Sequence, residues 1–128
     1  MRRIVLVVAA CVAVGSILLA RGIPSAADGR TLNGTIGPRM AIGLNDENGP
    51  VMSLRPGTYW LTVNDPSTFH NYHIFGPGLD QVVTTLPFQG TVTVKIHLSH
   101  GQYTFQCDPH AEMGMRGTFT VGGAGQGG

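Results

Sequence analysis

Nine consecutive residues, Cys107-Asp108-Pro109-His110-Ala111-Glu112-Met113-Gly114-Met115, carry one thiol, one imidazole and two thioethers. Taken singly, each has a bland reading: a buried cysteine acting as a small hydrophobe, a surface histidine, methionines filling gaps in a core. Their coincidence in one short loop favours a metal centre. A thiolate, an imidazole and a more distant thioether are three of the donors of a blue-copper electron-transfer site, which needs a second histidine from elsewhere in the chain. Tyr103, Phe105 and Cys107 alternate with Thr104 and Gln106, so the cysteine continues the apolar row of a strand. Pro109 and Gly114 then predict a turn that folds the chain back and aims Cys107, His110 and Met115 at one point.

Four other histidines compete for the remaining position. His97 and His100 lie on and just after the strand preceding the Ser99-His100-Gly101 turn. A strand rises about 3.3 Å per residue, so Gln102 to Cys107 carries that turn far from the cysteine, and both read as solvated surface residues. His70 and His73 are three apart on a predicted strand and face opposite sides of it unless a bulge intervenes. His70 shares its face with Tyr72 and Ile74, a plausible core row, and His73 shares its face with Asn71 and Phe75. The pattern favours His70.

The elements that must position these donors are short β segments punctuated by glycine and proline. Strands are predicted over Thr31 to Ile36, Met40 to Leu44, Val51 to Leu54, Thr58 to Asn64, His70 to Phe75, Thr91 to Leu98, Gln102 to Cys107 and Gly117 to Val121, with Asn45 to Pro50 a polar turn. Val92, Val94, Ile96 and Leu98 alternating with Thr91, Thr93, Lys95 and His97 is the cleanest period-two signal in the chain. The Ser99-His100-Gly101 turn predicts a hairpin between that strand and the next. Trp60, opposite Tyr59, Leu61 and Val63, reads either as a second core face or as an exposed aromatic. No stretch after the N-terminal segment holds a helical period. Seven to eight short strands make an all-β sandwich or barrel.

Arg2 and Arg3 followed by an unbroken apolar run from Ile4 to Ala20 and the small residues Ser25-Ala26-Ala27 read as an export signal over residues 1–27. The apolar run also lies at the short limit of a retained membrane anchor, so residues 4–20 are read as a signal peptide or a tether. The expected domain is 28–121, with 122–128 a flexible glycine-rich tail. The expected location is periplasmic or otherwise extracytoplasmic. Of 8 basic residues three fall in the first 27 and none of the 7 acidic ones does, which leaves a net charge of about −2. That is too weak to suggest nucleic acid or strong electrostatic steering. Only Cys107 remains beside the signal's Cys11, so no internal disulfide can form; a lone exported thiol must be free, paired between molecules or bound to something.

With these residues in view, the chain from Asn33 to Val121 resembles the cupredoxins, the plastocyanin, azurin and pseudoazurin family. Cys107-Asp108-Pro109-His110 and Met115 match the family's spacing of ligands, Met113-Gly114-Met115 is closest to pseudoazurins, and His70-Asn71 matches the family's upstream His-Asn pair. The resemblance implies a Greek-key fold and one copper ion held by His70, Cys107, His110 and Met115. It implies that the side chain of Asn71 ties the two ligand segments together, and that backbone amides near Asn71 and Pro109 bond the sulfur. Tyr72-His73 departs from the two apolar residues common there, so His73, like Met113, is an additional candidate metal contact. The implied function is an exported one-electron carrier and not an enzyme, since no nucleophile–base pair and no further histidine cluster is present. The alternative is copper storage or delivery. A transient redox protein would dock on an apolar patch near His110 built from Ala111, Met113, Pro87 and Phe88, with the protein itself a monomer.

Overall fold

Period-two alternation builds most of the structure. The computed structural model describes residues 29–122; the expected signal or anchor over 1–27 and all but the first residue of the expected tail lie outside them. Ten strands run in the order β1 (Arg30–Ile36), β2 (Ile42–Asp46), β3 (Gly49–Pro50), β4 (Ser53–Leu54), β5 (Gly57–Asp65), β6 (Tyr72–Gly76), β7 (Leu79–Thr84), β8 (Gly90–Leu98), β9 (Gly101–Gln106) and β10 (Arg116–Val121). Among the described residues a single 3-10 helix, Asp108–Met113, interrupts them. They form two five-stranded sheets of order β3-β2-β1-β5-β8 and β4-β10-β9-β6-β7. Both sheets are mixed: β1 runs parallel to β5 and β4 parallel to β10, and the other pairs are antiparallel. Neighbours distant in sequence, such as β5 with β8 and β6 with β9, are the crossovers of a Greek-key sandwich.

The inner faces are the predicted apolar rows. Tyr59, Leu61 and Val63 of β5 and Ile96 and Leu98 of β8 meet Tyr72 and Ile74 of β6, Tyr103 and Phe105 of β9, and Phe119 and Val121 of β10. Each such side chain contributes roughly 1.5–3 kcal/mol by leaving water. The buried tyrosines keep their hydroxyls bonded: Tyr72 donates to the Gly43 carbonyl (3.0 Å) and Tyr103 to the Pro77 carbonyl (2.6 Å). Trp60 is the exposed aromatic, 43% accessible, with the Lys95 ammonium over its ring.

Four expectations need correction. The strand predicted over Val51 to Leu54 shrinks to the two-residue β4, while β7 is a strand the pattern did not reveal. β2 begins two residues later than predicted and extends into the polar turn, where Asn45 and Asp46 pair with Gly49 and Pro50. Strands β8 and β9 are not a hairpin: β8 pairs with β5 while β9 pairs with β10 and β6, so the Ser99-His100 turn crosses from one sheet to the other. Finally, His70 and Asn71 precede β6 and do not lie within it.

Candidate metal centre

Strands β9 and β10 hold the ends of the donor loop. Gln106 pairs with Arg116 across them, and Cys107 N–H donating to the Met115 carbonyl (3.0 Å) extends the ladder one step further. Met115 is thereby set beside Cys107, and both are fully buried. Between them His110 N–H bonds the Cys107 carbonyl (3.1 Å), Gly114 N–H the Ala111 carbonyl (3.3 Å) and Met115 N–H the His110 carbonyl (3.2 Å). Pro109 sits in the first helical turn, where a missing amide costs nothing. Gly114 closes the helix at φ 98, the left-handed conformation a side chain resists.

The second histidine arrives from the segment entering β6. At the register shift between Tyr72 and His73, Tyr72 N–H donates to the buried Thr84 hydroxyl (3.0 Å), which anchors the residues just before it. His70 and Asn71 are both buried. Asn71 then reaches across: its Nδ2 donates to Asp108 Oδ2 (2.9 Å) and its Oδ1 accepts from Asp108 N–H (2.7 Å).

These contacts bring the donors together. His70 Nδ1 and His110 Nδ1 are 3.0 Å apart, and Cys107 Sγ lies 3.6 Å from the first and 3.3 Å from the second. Three atoms at those separations share a centre about 1.9 Å from each, close to the roughly 2.0–2.3 Å of metal–imidazole and metal–thiolate bonds. The rings meet edge to face, at an interplanar angle of 75°. Two imidazoles and a thiolate at these separations, with the buried Met115 thioether in the same loop, fit a single type 1 copper ion in donor chemistry.

Electrostatics at the sulfur are divided. Burial pushes the Cys107 thiol above its ordinary range, backbone hydrogen bonds from Asn71 and His110 pull against that, and the charges of Asp108 and Asp65 add to the rise. A bound cation reverses the balance, since the thiolate is the form that ligates. The two amides that bond the sulfur therefore come from Asn71 and His110, and Pro109, just before His110, has none to give.

His73 and Met113 are not gathered into the cluster. His73 is held between Asp80 and Asp108, and Met113 is 63% exposed on the surface. His97 and His100 are exposed, with the whole length of β9 between His100 and Cys107. Sequence reasoning missed Phe69, whose exposed ring packs against His70 at 5.1 Å, and Asp108, whose carboxylate joins both ligand segments. The adjacency of each to a ligand in sequence was the available signal.

A thiol and two imidazoles converging at one end of a two-sheet sandwich define a cupredoxin. The family model for copper binding proteins of the plastocyanin/azurin family matches residues 50–122, and the chain belongs to that family. Among solved structures it is similar to the copper protein rusticyanin, with 20% identity over 71% of this chain and 76% of that one and a TM-score of 0.51. Reduced rusticyanin gives 19% identity over 71% and 77%, with a TM-score of 0.50. No curated protein matches the chain in sequence.

Proposed function

We propose that this blue copper protein is an exported one-electron carrier with His70, Cys107, His110 and Met115 as its ligands. The observation that carries the reading is preorganisation: two donor segments, 37 residues apart at Asn71 and Asp108, are already locked at bonding dimensions by backbone and Asn71 hydrogen bonds. Copper supplies a one-electron couple when bound, and ligands that need not move keep the reorganisation accompanying each transfer small. His110 is only partly buried, and the exposed Phe69, Leu86 and Met113 supply apolar surface around this end of the fold. Such a surface suits brief docking of a redox protein near His110, with little dependence on charge. The periplasmic or extracytoplasmic location, and a membrane tether through residues 4–20, belong to the same proposal; among the described residues no helix is long and apolar enough to cross a membrane.

The exposed Met113 thioether, two residues from Met115, is the feature that favours copper delivery instead. Adding Cu(II) to the protein and to its Cys107→Ser variant tests both readings. An intense visible charge-transfer band absent from the variant, with repeated redox cycling and copper retained against a moderate chelator, supports the carrier. A pale spectrum from folded protein overturns the type 1 assignment, and loss of the metal on reduction favours delivery.

A further inference from the structure

Outside the donor set, one polar cluster is built around His73. Its Nε2 lies 2.5 Å from Asp80 Oδ1 and its Nδ1 lies 2.9 Å from Asp108 Oδ1. A carboxylate oxygen can only accept, and a neutral imidazole donates from one nitrogen alone. Both contacts are hydrogen bonds only when the ring carries two protons. Asp108 passes the restraint on, because its other oxygen and its N–H are the groups Asn71 holds, and the Asn71 amide bonds the Cys107 sulfur.

We propose that His73 is a positioning residue for the copper centre: as an imidazolium it buckles Asp108, and through Asn71 both ligand segments, and its proton is linked to electron transfer at the site. The inference rests on the copper reading above. The groups facing the ring are few. Strand β7 presents Asp80, the donor loop presents Asp108, and β9 presents the neutral Gln106, which donates to Asp108 Oδ1 (2.8 Å) and accepts from Arg116 of β10 (2.9 Å). On β6 itself the neighbour is the Phe75 ring. Two anions thus touch the imidazole directly, while the cation of the network, Arg116, stands behind Gln106. In keeping with this, burial alone would lower the proton affinity of His73, but the Asp80 and Asp108 carboxylates hold it above the usual histidine range.

Deprotonation sets a lone pair against one carboxylate and removes a positive charge from beside the centre. A nearby positive charge favours the reduced form, so electron uptake and proton uptake reinforce each other. For each electron received from a one-electron donor, a fraction of a proton from water binds at the His73 imidazole within the pH range where the ring titrates.

The test measures reduction potential against pH for the copper-loaded full chain, its His73→Gln variant and its Asp80→Asn variant, alongside the His73 ring titration by NMR in the metal-free and reduced proteins. The potential of the parent protein is expected to fall as pH rises through the His73 midpoint. His73→Gln is expected to be flat over that range, and Asp80→Asn to move the midpoint to lower pH. A flat parent profile, or an unchanged slope in His73→Gln, overturns the linkage. If His73→Gln does not fold, Asp80→Asn decides, since an unmoved midpoint there overturns the buckle. A protein without a charge-transfer band sinks the copper reading and the linkage together, while the metal-free midpoint still decides whether the buckle exists.

Discussion

The two segments that supply donors are built on different principles. The Cys107–Met115 loop carries three of the four and closes on itself: its backbone bonds run between its own residues, and the paired strands β9 and β10 pin both ends. The His70-Asn71 segment has no such closure. It is placed by the start of β6, the Thr84 hydroxyl and the two bonds from Asn71 to Asp108. The loop is a local structure that the sheet merely supports, whereas the histidine segment is positioned almost wholly by tertiary contacts. The contrast teaches that the weak point of the centre is the tie between the two and not the loop itself.

Removing the sulfur should have the largest effect. Cys107→Ala is expected to abolish the visible band entirely while the metal-free protein still folds, and copper should then no longer raise its melting temperature, as read by thermal unfolding with and without metal. Cutting the tie comes next. Asn71→Ala leaves the Asp108 amide without its acceptor and is expected to cost about 2 kcal/mol, the penalty of an unsatisfied polar group. It should also weaken copper retention far more than straining the loop backbone at Gly114 does. Straining the loop costs less: a Cβ at Gly114 meets nothing within 4 Å, so Gly114→Ala should lose only about 1–2 kcal/mol from the left-handed backbone. If Gly114→Ala proves worse for the metal than Asn71→Ala, the comparison is wrong.

The smallest effect is the pH dependence of the metal-free protein. His73 is raised, against a burial effect that lowers it, by Asp80 and Asp108, so its contribution is complete below its unfolded value near 6.5 and fades as pH rises through the higher folded one. For Asp108 burial acts upward, but bonds from Gln106, Asn71 and His73 hold it below the usual carboxylate range. Its contribution is present above its unfolded value near 3.8 and is lost as pH falls through the lowered one. Denaturant unfolding should therefore show greatest stability between those limits, by less than about 1 kcal/mol because the pair is partly exposed. His73→Gln should remove the decline on the alkaline side and leave the loop's own stability unchanged.

Much of this was legible beforehand, for definite reasons. Tyr103, Phe105 and Cys107, and Val92 through Leu98, announce their strands because one face of each meets the core. Strand β7 stayed hidden because its outer half has no such face: Asp80 and Val82 are exposed, Leu79 and Gln81 half-buried, and only Val83 and Thr84 reach the interior. The preference for His70 over His73 rested on a shared strand face with Tyr72; the two are indeed buried together, although His70 stands ahead of the strand and the bulge beside Tyr72 breaks the alternation on which that argument leaned. Nothing local distinguishes a turn that makes a hairpin from one that crosses between sheets, and the Ser99-His100 turn does the second.

By itself, then, the sequence determined what is short-range: strand periodicity, the glycine and proline that shape the donor loop, and the presence of three donors within nine residues. Only the tertiary structure decided which sheet each strand joins, how His70 reaches Cys107, and that His73, Asp80 and Asp108 form one cluster across three elements. The physical reason is range. A turn or an alternating face is written by neighbours, but a hydrogen bond between Asn71 and Asp108 exists only after 37 residues of intervening chain have packed into place.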